Sequence, residues 1–313
     1  MQAGARGEGV LFFPSLDGRG EGEGGDERGV MKGEKMDRKK ITPVDIQMMK
    51  SEGKKITMLT AYDYPMALLE DRAGIDIILV GDSGGMTVLG YDNTLPVTMD
   101  EMIQLTKAVT RGAKYALIIG DMPFMSYNTS ERDAIINAGR FMKEGKADAV
   151  KLEGGANVKD IVRAIVRAGI PVMGHIGLTP QTISMLGGFK VQGKDAQAAQ
   201  KIIDDALSLE DAGAFSVLLE AIPAPIAKRI TERLKVPTIG IGAGIHCDGQ
   251  VLVVHDMLGL FDRFTPKFAK RYVNLSEMML KAFEAYREEV LKGGFPTDQH
   301  SFHIDEKELS KVK

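Results

Sequence analysis

Eight short apolar runs, rich in β-branched residues, recur along the chain: Ile56–Ala61, Ile75–Val80, Tyr115–Gly120, Ala147–Leu152, Ile170–Gly174, Phe215–Leu219, Pro237–Ile241 and Val251–Val254. Helical patterns separate most of them. Thr98-x-x-Glu101 is a capping box opening a helix towards Lys107. Asn157 is expected to cap a helix whose apolar stripe is Val158, Ile161, Val162, Ile165 and Val166, with Gly169 as its stop. Lys201–Ala212 ends at Gly213, and Pro225–Leu234 ends before Val236-Pro237. Near-continuous apolar strands must be covered on both faces, which a parallel sheet with crossover helices achieves. Eight strand–helix units in about 250 residues match a closed (β/α)8 TIM barrel. An open doubly wound sheet is the alternative, and the strand count favours the barrel.

The flanks read differently. Residues 18–29 are entirely Gly, Glu, Asp and Arg, a composition unable to bury enough apolar area to offset its ordering entropy. The expected organisation is a disordered Gly-rich extension over 1–40, a barrel over 41–294 and a polar tail over 295–313. The abrupt change in composition makes Met31 or Met36 an alternative beginning. Val10–Phe13 is too short for a signal-peptide core. A net charge of −3 with no basic block argues against nucleic acid as a partner. No stretch approaches the ~18 consecutive apolar residues of a membrane helix. The single cysteine, Cys247, excludes an internal disulfide and a thiolate zinc cluster, and fits a reducing cytoplasm.

Several strands run straight into ionisable residues. Val80-Gly81 leads to Asp82-Ser83, Ile119-Gly120 to Asp121, Val150 to Lys151 and Glu153, Gly174 to His175, and Leu219 to Glu220. In a barrel these ends meet on one face, where active sites sit. Lys151 and Glu153 are two apart, so on a strand both point to the same side. Taken singly, each has a bland role: a turn former, a helix cap, a solvated lysine, a structural imidazole. Five consecutive strand ends carrying such groups exceed what turn chemistry requires. Converging carboxylates would raise one another's pKa values, and a hard divalent cation such as Mg2+ removes that conflict.

The glycines of Gly240-Ile241-Gly242-Ala243-Gly244 miss the dinucleotide spacing, because Ile245 and Cys247 stand where glycine is needed. A glycine-rich strand end instead lets a flat ligand approach the backbone. His246, His255, His300 and His303 are not at metal-ligand spacing and read as structural or surface residues. Cys247 reads as a small loop residue, and the 18 methionines as core fillers.

Thr60–Tyr64, Val80–Ser83, Leu95–Thr98, Asp121–Phe124, Lys151–Gly155, Gly174–Gln181 and Gly240–Gly244 occur in this order. Together, over about Lys54 to Phe302, they closely resemble the ketopantoate (3-methyl-2-oxobutanoate) hydroxymethyltransferase family. Any one motif is weak, whereas the ordered series is highly specific. The resemblance implies a (β/α)8 barrel in a decamer of two pentamers. It implies transfer of a one-carbon unit from 5,10-methylenetetrahydrofolate to 3-methyl-2-oxobutanoate, giving 2-dehydropantoate, with Mg2+ as the metal. It casts Asp82, Asp121 and Glu153 as the metal set. Asp82, Ser83, Asp121 and Lys151 would hold the keto acid, Glu220 would be the proton acceptor, and His175 an accessory group. Gly84 departs from the family pattern, where a larger apolar residue such as Leu often follows Asp-Ser, and is expected to loosen the loop.

The chemistry so implied suits these residue types. The weakly acidic hydrogen on carbon 3 must leave for a carboxylate, Glu220. A chelated Mg2+ and the charge of Lys151 would stabilise the enolate that attacks the folate methylene. The nearest rival is another Mg2+-using barrel of the isocitrate lyase and phosphoenolpyruvate mutase group. Its Lys-Lys-Cys-Gly-type loop is missing around Cys247. A non-catalytic barrel that binds a keto acid is a second rival, disfavoured by the full charged set.

Overall fold

The computed structural model describes residues 38–182, 184, 188, 190–261, 263 and 266–313. Residues 1–37 of the expected extension lie outside them. Eight parallel strands form a closed barrel: β1 Ile56–Thr60, β2 Ile77–Val80, β3 Leu117–Asp121, β4 Ala149–Glu153, β5 Val172–Gly177, β6 Ser216–Glu220, β7 Thr238–Ile241 and β8 Gly249–Leu252. Each pairs with its sequence neighbours, and β1 pairs with β8. Closure leaves no sheet edge unpaired.

The period of two sorts each strand into inward and outward files. Inward residues Ile56, Met58, Ile77, Leu79, Leu117, Ile119, Ala149, Met173, Leu218, Ile239, Ile241 and Val251 pack as the barrel's filling. Ile46 joins them from the helix Pro43–Ser51. Residues between them, such as Ile78, Val80, Ile118, Val150, Val172 and Val217, pack outward with the helices. Each fully buried aliphatic side chain contributes about 1.5–3 kcal/mol. The inward files then change character near their C-terminal ends: Leu117-x-Ile119 continues to Asp121, Ala149 to Lys151 and Glu153, Met173 to His175, and Leu218 to Glu220. The same pleat that builds the core thus places the ionisable groups on top of it.

The sequence signals locate the helices with three differences. The Thr98–Glu101 capping box forms as expected, but its helix runs from Met99 to Gly112, carried on by buried Met102, Ile103, Thr106 and Val109. The stripe after β4 lies on Lys159–Arg167, preceded by a 3-10 turn at Ala156–Val158. Asn157 does not cap that helix; its Oδ1 accepts from the Gly155 N–H at 3.0 Å. The expected strand Val251–Val254 lies two residues earlier, because Val254 opens a short helix, Val254–Leu258. Lys40 belongs to the barrel unit: its Nζ donates to the Ala116 carbonyl and pairs with Asp148, both at 2.6 Å. After the barrel comes the helix Leu275–Lys292, which has no buried residue. The tail beyond Phe295 is exposed, as its polarity predicts, and carries a short helix, Glu306–Leu309. Among the described residues no helix is long and apolar enough to cross a membrane.

Candidate active site

A cavity of about 410 Å³ opens at the C-terminal ends of the strands. Asp82, Ser83, Asp121, Lys151, Glu153, His175 and Glu220 all line it, so the structure brings together every predicted site residue. Register explains their contacts. Asp121 stands beside Lys151 across β3 and β4, and Lys151 Nζ lies 2.8 Å from Asp121 Oδ1. Glu153 stands beside His175 across β4 and β5, with Glu153 Oε1 3.4 Å from His175 Nδ1. The other ring nitrogen, Nε2, lies 3.2 Å from Glu220 Oε2. Lys151 Nζ also approaches His175 Nδ1 at 3.3 Å and Glu153 Oε1 at 3.9 Å. A chain of charges therefore runs Asp121–Lys151–Glu153–His175–Glu220.

The electrostatics follow from burial. Desolvation, then the charges of Asp121 and Glu153, push Asp82 well above the ordinary carboxylate range. Burial also raises Asp121, against the pull of Lys151. Burial alone would raise Glu153, but His175, Lys151 and the Gln181 N–H outweigh it and hold Glu153 low. Burial and Lys151 push the His175 imidazole down; the contacts with Glu153 and Glu220 prevail and hold it up at about 9. Burial would likewise lower Lys151, but Asp121, Glu153 and Asp82 raise it. Lys151 and His175 are thus cationic at neutral pH.

The backbone around these groups is specialised. Gly177 has φ +96°, and a Cβ there would stand 2.2 Å from the Glu220 carbonyl oxygen, so only glycine lets β5 pass β6 at this point. Ala221 sits at φ +49°, a costly conformation for a residue with a side chain, fixed by its N–H bond to the Ile241 carbonyl at 2.9 Å. Gly84 is buried in a short helix, Gly84–Thr87, and a Cβ there would lie 2.7 Å from the Tyr62 ring. The loop is therefore packed, not loosened: Tyr62 fills the space and its hydroxyl meets Ser83 Oγ at 2.8 Å.

Two buried residues not assigned a role from sequence complete the site. Gln181, in the 3-10 turn Pro180–Thr182, donates from Nε2 to Asp82 Oδ2 and to the Met122 carbonyl, both at 2.9 Å. Its backbone N–H donates to Glu153 Oε2 at 3.0 Å. The Tyr127 hydroxyl donates to Gln181 Oε1 at 2.7 Å. Both are uncharged and far in sequence from their partners. Only the placement of Gln181 shortly after a polar strand end could have pointed to it.

Among the described residues no three His, Cys, Asp or Glu side chains are arranged to hold one metal ion. The expected trio of Asp82, Asp121 and Glu153 is reduced to a pair, because Glu153 is drawn to His175, Lys151 and the Gln181 N–H. Asp82 and Asp121 stay together: the Asp82 N–H donates to Asp121 Oδ2 at 3.1 Å. Asp121 Oδ1 is buried without a hydrogen bond, and meets Lys151 only as an ion contact. Two adjacent buried carboxyl groups suit a hard divalent cation, which commonly takes one or two carboxylates and completes its shell with water and substrate oxygens.

Barrel closure and a cavity lined by charged groups at the strand ends define a (β/α)8 enzyme acting on a small polar substrate. A family model described as ketopantoate hydroxymethyltransferase matches residues 40–298. A 3-methyl-2-oxobutanoate hydroxymethyltransferase of Moorella thermoacetica is 62% identical over 265 residues, covering 85% of this chain and 98% of its own. That of Carboxydothermus hydrogenoformans is 55% identical over 277 residues, covering 88% and 100%. The chain belongs to the ketopantoate hydroxymethyltransferase family and is a transferase. Phosphonopyruvate hydrolase shares the fold at a TM-score of 0.56 and 12% identity, over 87% of this chain and 94% of the other. A 2,3-dimethylmalate lyase does so at 0.53 and 12%, over 86% and 94%.

Proposed function

We propose that the chain transfers a hydroxymethyl group from 5,10-methylenetetrahydrofolate to 3-methyl-2-oxobutanoate, giving 2-dehydropantoate (ketopantoate), an early step towards pantothenate and coenzyme A. The observation that carries this reading is the presence, around one cavity, of a buried acid pair and of the partly exposed Glu220 carboxylate, 3.2 Å from His175. Asp82 and Asp121 would hold Mg2+, which when bound supplies Lewis-acid stabilisation for negative charge on the keto acid's oxygen. Lys151 and Ser83 hold the substrate carboxylate end. Lys151 is kept in place by Asp121, which is why its charge is available without wandering.

Glu220 takes the proton from carbon 3. His175 Nε2 meets one of its oxygens as an ion contact at 3.2 Å, and Glu220 lines the cavity. Glu153 in turn orients His175 from the other ring nitrogen, so it acts as a positioning residue. Water exclusion by the apolar cavity wall strengthens each of these contacts. The reaction is placed in the cytoplasm, in keeping with one buried free cysteine. From the family resemblance we further infer a homodecamer. It is supported by the helix Leu275–Lys292, whose Met279, Phe283, Tyr286 and Val290 lie at helical spacing and are exposed.

The test is Glu220→Gln. The variant is expected to bind 3-methyl-2-oxobutanoate within about threefold of wild type and to lose at least about 100-fold in deuterium exchange at carbon 3, within the range removed with a general base. Exchange at the wild-type rate, followed by proton NMR, ends the assignment of Glu220 as base.

A further inference from the structure

The groups described above occupy the cavity wall from β2 to β6. The opposite wall includes the segment after β8, and it holds a carboxylate that none of that chemistry uses. The Val254 N–H donates to Thr60 Oγ1 at 3.0 Å, tying the helix Val254–Leu258 to β1. That seats Asp256 on the cavity wall. Asp256 is only 8% exposed. Burial raises it to about 6 against the charge of Arg271, so it is ionised at neutral pH. Val253, Phe261 and Phe268 line the same cavity. Phe268 lies against Gly242, where a Cβ would stand 2.7 Å from its ring.

A buried carboxylate facing an apolar-walled cavity is costly unless a ligand brings donors to it. The two substrates differ in this respect. The keto acid is an anion without N–H groups, and Asp256 would repel it. The reduced pterin ring of the folate carries two adjacent donors, its N3–H and 2-amino group, on a flat, largely apolar body. Resting on the folate reading above, we propose that Asp256 is the specificity-determining residue for the one-carbon donor. It accepts both N–H groups of the pterin's pyrimidine half, while Phe261 and Phe268 contribute the apolar surface for the ring.

Calorimetric titration of the full chain with tetrahydrofolate, with its 2-desamino-2-methyl analogue and with 3-methyl-2-oxobutanoate tests this. Asp256→Asn is expected to weaken tetrahydrofolate about 10–100-fold, the scale of a charged hydrogen-bond pair. Keto-acid affinity and carbon-3 deuterium exchange should stay within about twofold, a readout that a general structural role would move. Wild type should discriminate against the analogue about tenfold or more, and the variant should not. Wild-type-like folate affinity in the variant, discrimination that persists in it, or equal losses for both substrates would each overturn the assignment. A wild-type chain that exchanges carbon 3 but transfers nothing from methylenetetrahydrofolate removes the folate reading itself, and Asp256's role with it.

Discussion

Gln181 shows how much a neutral residue can carry in a charged site. One side chain bonds Asp82, the Met122 carbonyl and Tyr127, and its backbone reaches Glu153. Gln181→Ala leaves the Tyr127 hydroxyl only its longer contacts with the Glu153 backbone, at 3.2 Å, and removes a donor from a carboxylate already pushed towards neutrality. The expected cost is about 1–3 kcal/mol of stability, with a loss of keto-acid affinity. Gln181→Glu is close in size but adds an anion beside Asp82, and should be worse than Ala at neutral pH. Urea midpoints for the two variants check the order, and an alanine variant less stable than the glutamate one refutes it. The acids around Gln181 were legible because ionisable residues ending apolar runs stand out. Gln181 was not, because its role lies in which atoms it meets, and those come from four segments brought together only by closure. Glu153 makes the same point: its strand position was readable, but its turn towards His175 instead of the acid pair was not.

At the scale of elements, local signals were read well where they are chemical and poorly where packing decides. Thr98 and Glu101 form both halves of their capping box. The Asn157 cap failed because Asn157 bonds the Gly155 N–H instead, within the loop it was expected to end. The helix Tyr64–Ala73 holds a clearer departure from pattern. Glu70 is buried, and both its carboxylate oxygens lack a hydrogen bond. Burial, and then the charge of Asp63, push it up to about 8 from its ordinary 4.5. The folded state thus holds this proton more tightly than the unfolded chain. Its stabilising effect is complete below about 4.5 and falls as pH rises towards 8. Glu70→Gln removes that dependence. The variant's melting temperature should match wild type near pH 4.5 and exceed it increasingly up to pH 8, followed by calorimetry. A gap that is constant with pH contradicts the buried-carboxyl account.

At the scale of the molecule, the barrel was legible because eight apolar runs at near-regular spacing leave few other closures, and each strand's inward file is visible as every second residue. The helix Leu275–Lys292 was not foreseen, since nothing in the barrel pattern calls for it. None of its residues is buried, yet it displays Met279, Leu280, Phe283, Tyr286 and Val290. A stripe of this kind, sustained over several turns, marks an association surface and not a solvated face. Under the homo-oligomer proposed above, its partner would be a second copy of this chain. Phe283→Glu combined with Tyr286→Glu places two charges on the stripe without touching the barrel. Sedimentation velocity should show the wild type as a high-order oligomer and the double variant as smaller species. Carbon-3 exchange per chain should survive in those species, because every group assigned to it comes from β2 to β6 of one chain or the loops beside them. An unchanged sedimentation coefficient would show that the stripe does not hold the copies together, and loss of exchange on dissociation would show that a neighbouring copy completes the mouth of the barrel.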